Sequence, residues 1–292
     1  MTSSKRRPPD RVVIEPGERR GAVVDLIRHA RSRVALSLFR CNDQAVFDAL
    51  ERATRRGVTV EVLMTPRSAS GRKKLRKLRA AIEATGASVH VHRDRVVKYH
   101  AKYLIAGDGP ALVASLNFTR RCFSKTIDAL VITHDPAVVT ALRELMAADR
   151  DGRTIPDRLP SRLIVGPEHA RRQLTAIVEQ AQSSLRIIDA KISDPALLAL
   201  LRARRRDGVQ VELYEGKRLN GLRSHGKIML VDGRLGIVGG LALNALSLDF
   251  RREVALVVEE PSAVETLARL FDSLGVPTAA AVDRPVAEEG ST

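Results

Sequence analysis

The decisive stretches of this sequence are His225-Gly-Lys227-Ile-Met-Leu-Val-Asp232 and an earlier one, His100-Ala-Lys102-Tyr-Leu-Ile-Ala-Gly-Asp108. Both have the apolar character of a strand, and in a strand residues i and i+2 point to the same side. We therefore expect the histidine and the lysine to share a face in each stretch. A neutral imidazole beside an ammonium is a nucleophile or proton carrier next to an anion anchor.

The two stretches belong to an internal duplication. Asp43 and Gly57 recur 151 positions later as Asp194 and Gly208. The histidines recur at a smaller offset, 125 positions, so the second copy lacks a segment of about one helix. Two such copies can meet across a pseudo-twofold axis, where one phosphate would contact both imidazoles. One imidazole would attack phosphorus while the other protonates the leaving oxygen, and the lysines would offset the charge without a metal.

The order of predicted elements is that of an α/β protein. In each copy, strands alternate with amphipathic helices, one of which opens at Asp43 or Asp194 as its N-cap. This alternation predicts an α-β-α sandwich in each copy. We expect a first domain over 11–150, a linker over 151–161, a second domain over 162–276 and a disordered tail over 277–292.

Composition and charge indicate a globular protein with an anionic partner. The chain of 292 residues is long enough for two modest domains or one large one, and its 44% hydrophobic content supports a packed core. Because no apolar run approaches the roughly 20 residues that cross a bilayer, and the start lacks the apolar core of a secretory signal, we expect a cytoplasmic protein. Residues 1–150 carry 29 Lys and Arg against 15 Asp and Glu, whereas the remainder is nearly balanced. The partner is therefore a nucleic acid, an anionic lipid or a phosphorylated metabolite.

The segment that only the first copy has is the most cationic of the chain. Leu75, Leu78 and Ile82 recur at helical spacing, which predicts a helix with a positively charged outer face. That face is either simply solvated or contacts phosphates at the mouth of the site. The candidate phosphate contacts are Arg72, Lys73, Arg76 and Lys77.

The cysteines and the remaining histidines give no recognisable metal motif. Cys41 and Cys122 have no CxxC spacing, so we expect buried free thiols. His90 and His92 alternate in a strand and share a face, but no third ligand accompanies them, which favours a structural or substrate-lining role. We therefore expect neither a metal nor another cofactor.

The two decisive stretches resemble the paired HxKxxxxD motifs of the phospholipase D superfamily. The second stretch matches fully, whereas in the first Gly107 takes the place of the acid and Asp108 is one position late. The stretch Ser115-Leu-Asn117-Phe-Thr119 resembles the GSxNxT segment that follows the motif, but its counterpart Gly239-Gly-Leu-Ala242 has lost the serine and the asparagine. The resemblance extends from about Val12 to Leu274.

The resemblance implies two tandem phospholipase D-like domains, related by a pseudo-twofold axis, with one active site at their interface in a monomeric chain. One histidine would form a covalent phosphohistidine and the other would act as general acid, while the lysines hold phosphate oxygens. A carboxylate beyond each motif would brace a histidine. The catalytic residues implied in this way are His100, His225, Lys102, Lys227, Asp128 and Glu253.

The same resemblance implies supporting roles for four further residues. Ser115 and Asn117 would bind substrate on one side of the site only. The motif acids Asp108 and Asp232 would be structural rather than chemical.

Three functions remain open at this point. The segment from Asn244 to Glu253 is similar to cardiolipin synthases, which favours a phospholipid-cleaving or phosphatidyl-transferring enzyme with peripheral contact to a membrane. The segment from Ser115 to Asp128 is similar to small bacterial nucleases, which favours a metal-independent endonuclease. A degenerate, non-catalytic phosphate-binding module is the third alternative. Aromatic residues make up only 3% of the chain, so base stacking and an interfacial aromatic belt are both poorly supplied. A phospholipid substrate is slightly favoured.

Overall fold

The computed structural model of the chain describes residues 7–67, 71–94, 96–156, 158–190, 192–216 and 218–277. Two units of similar topology follow one another. The elements of the first unit are β1 (Arg11–Val13), α1 (Pro16–His29), β2 (Arg33–Leu38), α2 (Gln44–Arg55), β3 (Thr59–Met64), α3 (Arg72–Glu83), β4 (Ser88–Val91), β5 (Lys98–Tyr99), β6 (Tyr103–Ala106), β7 (Ala111–Ala114), α4 (Arg120–Ser124), β8 (Thr126–Ile127), β9 (Leu130–Thr133) and α5 (Pro136–Asp151). The elements of the second are β10 (Leu163–Val165), α6 (Ala170–Glu179), β11 (Ser184–Ile188), α7 (Pro195–Arg206), β12 (Gln210–Tyr214), β13 (Arg218–Leu219), β14 (Leu222–Ser224), β15 (Lys227–Val231), β16 (Leu235–Gly239), α8 (Ala245–Phe250), β17 (Arg251–Arg252), β18 (Val254–Val258) and α9 (Pro261–Asp272).

Each unit is built on one mixed sheet, and the two sheets correspond strand by strand. Their strand orders are β1-β9-β7-β6-β2-β3-β4 and β10-β18-β16-β15-β11-β12. Among the described strands of these two sheets, β4 has no counterpart, and neither has the helix α3 before it. The segment absent from the second unit is therefore a helix and the strand after it. Helix α3 is the crossover connection between the parallel strands β3 and β4, so the helix and β4 form one unit of structure.

The two units share a central hydrophobic cluster, and each has a further cluster of its own. Helices α1 and α2 cover the outer face of the first sheet, and α6 and α7 cover the outer face of the second. Between the sheets, α5 and α9 pack with residues of both units in a single cluster that includes Tyr103, Leu142, Leu256 and Leu267. This shared cluster packs the two units against each other.

The predicted N-caps are confirmed at two corresponding helices. The carboxylate of Asp43 accepts the N–H of Ala45 at the start of α2, and Asp194 accepts the N–H of Leu197 at the start of α7. At the other end of the first unit, α5 runs on to Asp151, into the predicted linker, and stops at Gly152 in the left-handed conformation with φ 71°. Most of the predicted tail, residues 278–292, lies outside the described residues.

Two short sheets join the units and position the two histidine stretches. Strand β17 pairs in parallel with β5, so that Arg252 stands opposite Tyr99. Strand β14 pairs in parallel with β8, so that Ser224 stands opposite Ile127. Each predicted histidine strand is therefore interrupted, because the chain leaves a sheet shared between the units and only then enters the central sheet of its own unit.

Candidate active site

The register of β5 and β17 brings His100 against the carboxylate of the other unit. The backbone N–H of His100 donates to the carbonyl of Arg252 at 2.9 Å, and its ring Nδ1 donates to the carboxylate of Glu253. The Glu253 side chain is fully buried and also accepts the hydroxyl of Ser247. With Nδ1 occupied in this way, Nε2 of the imidazole keeps its lone pair.

The second histidine has the same arrangement with the units exchanged. Nδ1 of His225 lies 3.0 and 3.2 Å from the two oxygens of Asp128, which is fully buried. Asp128 also accepts the hydroxyls of Ser115 at 2.6 Å and of Thr126 at 2.5 Å. The bracing is thus crossed: each histidine is held by the carboxylate of the other unit, and neither unit contains a complete pair.

The hydroxyl of Ser115 is hydrogen-bonded to the carboxylate of Asp128, whereas the sequence predicted that Ser115 binds substrate. Its hydroxyl donates to Asp128 and accepts the N–H of Ala129 at 3.0 Å, and the side chain is buried. The hydroxyl therefore has no remaining proton to give to a phosphate oxygen. Asn117 is also buried, and its Oδ1 has no hydrogen-bond partner among the described residues.

Ser247 is a site residue that the sequence reasoning missed. It accepts the N–H of Ala242 at 2.9 Å and donates to Glu253, as Ser115 does for Ala129 and Asp128. The hydroxyl missing at Gly240 is therefore supplied from α8, further along the chain. A Cβ at Gly240 would lie 3.6 Å from Nζ of Lys102, which is an ordinary van der Waals distance.

The two lysines lie beside the histidines that precede them. Nζ of Lys102 lies 2.9 Å from Nδ1 of His100 and also donates to its carbonyl, while Nζ of Lys227 donates to the carbonyl of His225. The pKa of Lys102 is lowered to about 7, mainly by burial; Glu253 and Asp128 act to raise this pKa, and the nearby charge of Lys227 acts to lower it. Both units therefore act electrostatically on one ammonium.

Electrostatics keep His100 neutral and its brace charged. Burial, with the nearby charge of Lys102, lowers the pKa of His100 to about 3 in spite of Glu253. Burial alone would raise the pKa of Glu253, but His100 and Lys102 lower it, so the carboxylate stays ionised. Burial alone would likewise raise the pKa of Asp128, but His225 and the hydroxyls of Ser115 and Thr126 lower it, so this carboxylate also stays ionised. The site thus holds unprotonated imidazole next to fixed charges.

The two motif acids have different surroundings. Asp232, at φ 51°, accepts the backbone N–H groups of Gln182, Ser183 and Ser184 at 2.7 to 3.1 Å, a structural role. Asp108 does not do this. Its side chain is fully exposed and, among the described residues, forms an ion pair with Arg143, because Gly107 occupies the left-handed position that Asp232 takes in the second unit.

Helix α3 forms as predicted, with Leu75, Leu78 and Ile82 against the core of the first unit. The four predicted phosphate contacts are exposed on its outer face: Arg72, Lys73, Arg76 and Lys77. The helix begins beyond the carboxyl end of β3, at the same edge of the sheet as His100, but β2 lies between β3 and β6 in the sheet. Contact between this face and substrate stays a prediction.

The other candidate ligands are engaged in structure. Nε2 of His92 lies 3.5 Å from buried Asp149, and its ring packs on Tyr99; His90 lies 3.5 Å from Glu61. Each of the two rings thus lies beside a different carboxylate.

Both cysteines are buried free thiols, as predicted. One donor atom from each of Cys122, Asp128 and His225 lies within 4.8 Å of the others, a grouping that the sequence did not suggest. Asp128 and His225 already bond each other, and burial raises the pKa of the Cys122 thiol. These donors fit a hydrogen-bonded cluster better than a metal site.

This two-unit α/β fold with crossed histidine–carboxylate pairs is that of the phospholipase D superfamily. The family model described as the cardiolipin synthase, phospholipase D-like domain matches residues 23–150 and 172–274, one stretch in each unit, and the chain belongs to this family. No helix among the described residues is both long enough and apolar enough to span a bilayer.

Individual relatives are more distant. Cardiolipin synthase A of Pseudomonas aeruginosa is 30% identical over 127 residues, which are 43% of this chain and 26% of that protein, so the match spans about a quarter of the relative. Among solved structures, phosphatidylserine synthase of Haemophilus influenzae Rd KW20 superposes with a TM-score of 0.69 at 13% identity, covering 91% of this chain and 86% of that one. Polyphosphate kinase of Porphyromonas gingivalis superposes with a TM-score of 0.74 at 18% identity, covering 90% and 50%. At these identities the structures show the fold alone.

Proposed function

We propose that this chain is a phospholipase D-type enzyme that cleaves, or transfers across, a phosphodiester bond of a phospholipid through a phosphohistidine. The observation that carries the proposal is the crossed bracing of His100 by Glu253 and of His225 by Asp128. Two imidazoles oriented through Nδ1 have both Nε2 atoms available for chemistry.

The arrangement suits His100 to the role of nucleophile. Held neutral by burial and by Lys102, its Nε2 attacks phosphorus, and the P–O bond to the leaving group breaks. His225 gives a proton to the leaving oxygen and afterwards removes one from water or an alcohol, whose oxygen displaces His100 from phosphorus. The ammonium groups of Lys102 and Lys227 offset the charge on the non-bridging oxygens.

A substrate with a good leaving group distinguishes the role of the nucleophile from the role of the general acid. In His225→Ala, bis(p-nitrophenyl) phosphate should release one equivalent of nitrophenolate rapidly and then stall, because nitrophenolate leaves without a proton but the phosphohistidine lacks its base. His100→Ala should give no burst. The opposite pattern would exchange the two roles, and sustained turnover in either variant would contradict the two-histidine scheme.

A phospholipid substrate is supported by the family description and by the activities for which two relatives are named, a cardiolipin synthase and a phosphatidylserine synthase. Vesicles of phosphatidylcholine or phosphatidylglycerol, incubated with and without an alcohol acceptor, test for hydrolysis and transfer. We expect turnover to survive a chelator because lysines offset the phosphate charge. Loss of turnover that a divalent ion restores would contradict this.

A second candidate, a metal-independent endonuclease, is favoured by the exposed cationic face of α3 in a first half that carries most of the net charge. Single-stranded and double-stranded DNA therefore belong in the same assay. Binding of phosphodiesters without cleavage of any of them would indicate instead the degenerate, phosphate-binding module.

A further inference from the structure

The two short helices α4 and α8 stand at equivalent places beside the site. Strands β7 and β16 each end where the histidine strand of the same unit begins, and α4 and α8 follow them. Helix α4 leads through β8 to Asp128, and α8 leads through β17 to Glu253. Because a pseudo-twofold axis relates the units, the helices lie on opposite sides of the site. The side chains of His100 and His225 keep 20% and 27% exposure there, so the site is open to the outside.

The inward faces of these two helices are alike. At the offset of 125 positions that relates the histidine stretches, Cys122 corresponds to Ser247 and Phe123 corresponds to Leu248. All four side chains are buried. Both helices therefore pack on the protein in the same way, and packing does not decide what their outward faces carry.

The outward faces differ in kind. Helix α4 exposes Arg121 and, at its C-cap, Lys125, whose N–H donates to the carbonyl of Arg121 at 2.8 Å, so the two side chains are one turn apart on one face. The equivalent residues of α8 are Leu246 and Phe250, which are 60% and 51% exposed and have the same spacing. One side of the open site is therefore cationic and the other side is apolar.

The apolar side is concentrated here. Four large hydrophobic side chains of the described residues are exposed, and two of them are on α8. A third, Val96, precedes β5 by two residues, and β5 pairs in parallel with β17, the strand that follows α8. The chain segments that carry Val96 and Phe250 thus enter this two-stranded sheet from the same end. Clustered exposed apolar side chains are typical of an interaction surface.

The cations of α4 are not neutralised within the described part of the chain. No carboxylate there forms an ion pair with Arg121 or Lys125, whereas the acid of α8, Asp249, is paired with Arg171 at 2.6 Å. The cationic side is thus suited to an anionic partner.

We propose that the outward faces of α4 and α8 together form a docking face for an anionic lipid bilayer. Leu246 and Phe250 enter the boundary between headgroups and acyl chains, while Arg121 and Lys125 lie against phosphate groups. The inference rests on the proposed function and adds how a phospholipid in a bilayer reaches the histidines. A bilayer offers apolar and anionic contacts within one surface, which is what the two sides of the site require.

A tryptophan reporter tests the insertion of α8. The sequence contains no tryptophan, so one introduced indole reports on one position. When vesicles of phosphatidylglycerol and phosphatidylcholine are added to Phe250→Trp, its emission should move to shorter wavelength, and lipids brominated on the acyl chains should quench it. Asp108→Trp is the matched control, exposed at the opposite edge of the first sheet, and it should show neither change.

Flotation of the full chain with vesicles of graded phosphatidylglycerol content separates the two sides. The double variant Leu246→Ser and Phe250→Ser should bind on the order of tenfold more weakly at every content, because apolar area stays in water. The double variant Arg121→Gln and Lys125→Gln should lose on the order of tenfold or more on anionic vesicles and nothing on pure phosphatidylcholine.

The matched control for charge is the double variant Arg11→Gln and Arg31→Gln. Both side chains are exposed at the opposite edge of the first sheet, so the control removes the same charge away from the site. It should bind anionic vesicles within about twofold of the wild type, because the proposed contact with phosphates is local.

Three results would overturn the docking face. They are an unchanged Phe250→Trp spectrum on vesicles that bind the chain, vesicle binding that survives both site-side double variants, and a Phe250→Trp shift that follows protein concentration without lipid, which would assign the face to a second copy. A chain that docks through this face but cleaves no phospholipid would refute the proposed function alone. A chain that cleaves a short-chain, monomeric phospholipid without docking on vesicles would refute the docking face alone.

Discussion

Lys102 is expected to reduce stability in a way that depends on pH. Burial lowers its pKa from 10.5 to about 7 in the folded protein. Between these two values the unfolded chain holds a proton that the folded chain has released, so the free energy of unfolding rises with pH in this window. Below about pH 7 the ammonium is buried in its charged form, and the cost to stability is largest.

The size of the effect follows from the shift. One pKa unit corresponds to about 1.4 kcal/mol, so between pH 7.5 and pH 9 Lys102 alone should raise the free energy of unfolding by roughly 2 kcal/mol. Lys102→Met removes the titrating group and fills a similar volume. The wild type should therefore gain roughly 2 kcal/mol more than Lys102→Met over that interval, and the variant should be the more stable of the two at pH 7.5.

Urea unfolding followed by circular dichroism at the two pH values measures this difference. Lys98→Met is the matched control because it removes the same charge from an exposed position nearby, and it should behave as the wild type does. Turnover of the wild type should also decline as pH rises through about 7, because the ammonium that offsets phosphate charge loses its proton. Parallel stability profiles for the wild type and Lys102→Met would refute the reasoning.

Three further outcomes are expected. Ser247→Ala leaves Glu253 without one hydrogen bond and should lower kcat on bis(p-nitrophenyl) phosphate by on the order of tenfold or more, with KM little changed and Ser247→Thr retaining activity. Asp232→Ala leaves three backbone N–H groups without an acceptor and should lower the free energy of unfolding in urea by roughly 1–3 kcal/mol, whereas Asp108→Ala, at an exposed position, should change it by less than about 0.5 kcal/mol; equal effects would contradict the structural role. Charge reversal on the outer face of α3 should weaken binding to DNA or anionic vesicles. The slope of log K against log salt concentration should fall by about one unit for each phosphate that the helix no longer neutralises. Unchanged binding would show that this face is only solvated. The residues to reverse are Arg72, Lys73, Arg76 and Lys77.

Much of the fold followed from the duplication. The change of offset from 151 to 125 located an insertion in the first copy, and the alternation of strands and helices gave the α/β class. The partner of each histidine did not follow, because the crossing depends on β5 meeting β17 and β8 meeting β14, pairings between short segments far apart in sequence. Two-residue strands carry too little pattern to be recognised from sequence.

The errors at individual residues have local causes. The motif pairs Asp108 with Asp232, but the turn needs a residue in the left-handed conformation, and Gly107 fills that position one place earlier. Ser247 was missed because its hydroxyl reaches Glu253 from a helix instead of from the strand end where Ser115 lies. The hydroxyls of Ser115 and Ser247 thus make equivalent hydrogen bonds although the two serines do not occupy matching positions of the duplication.

The crossed bracing has a consequence for how such a chain can change over time. In a dimer of identical halves, every substitution would appear on both sides of the axis at once. Here the two halves are covalently joined and always meet each other, so one side can carry Gly240, Ser247 and Arg251 while the other keeps Ser115 and Thr126. Each half can therefore change its own residues separately, because the half that completes its site is always part of the same chain.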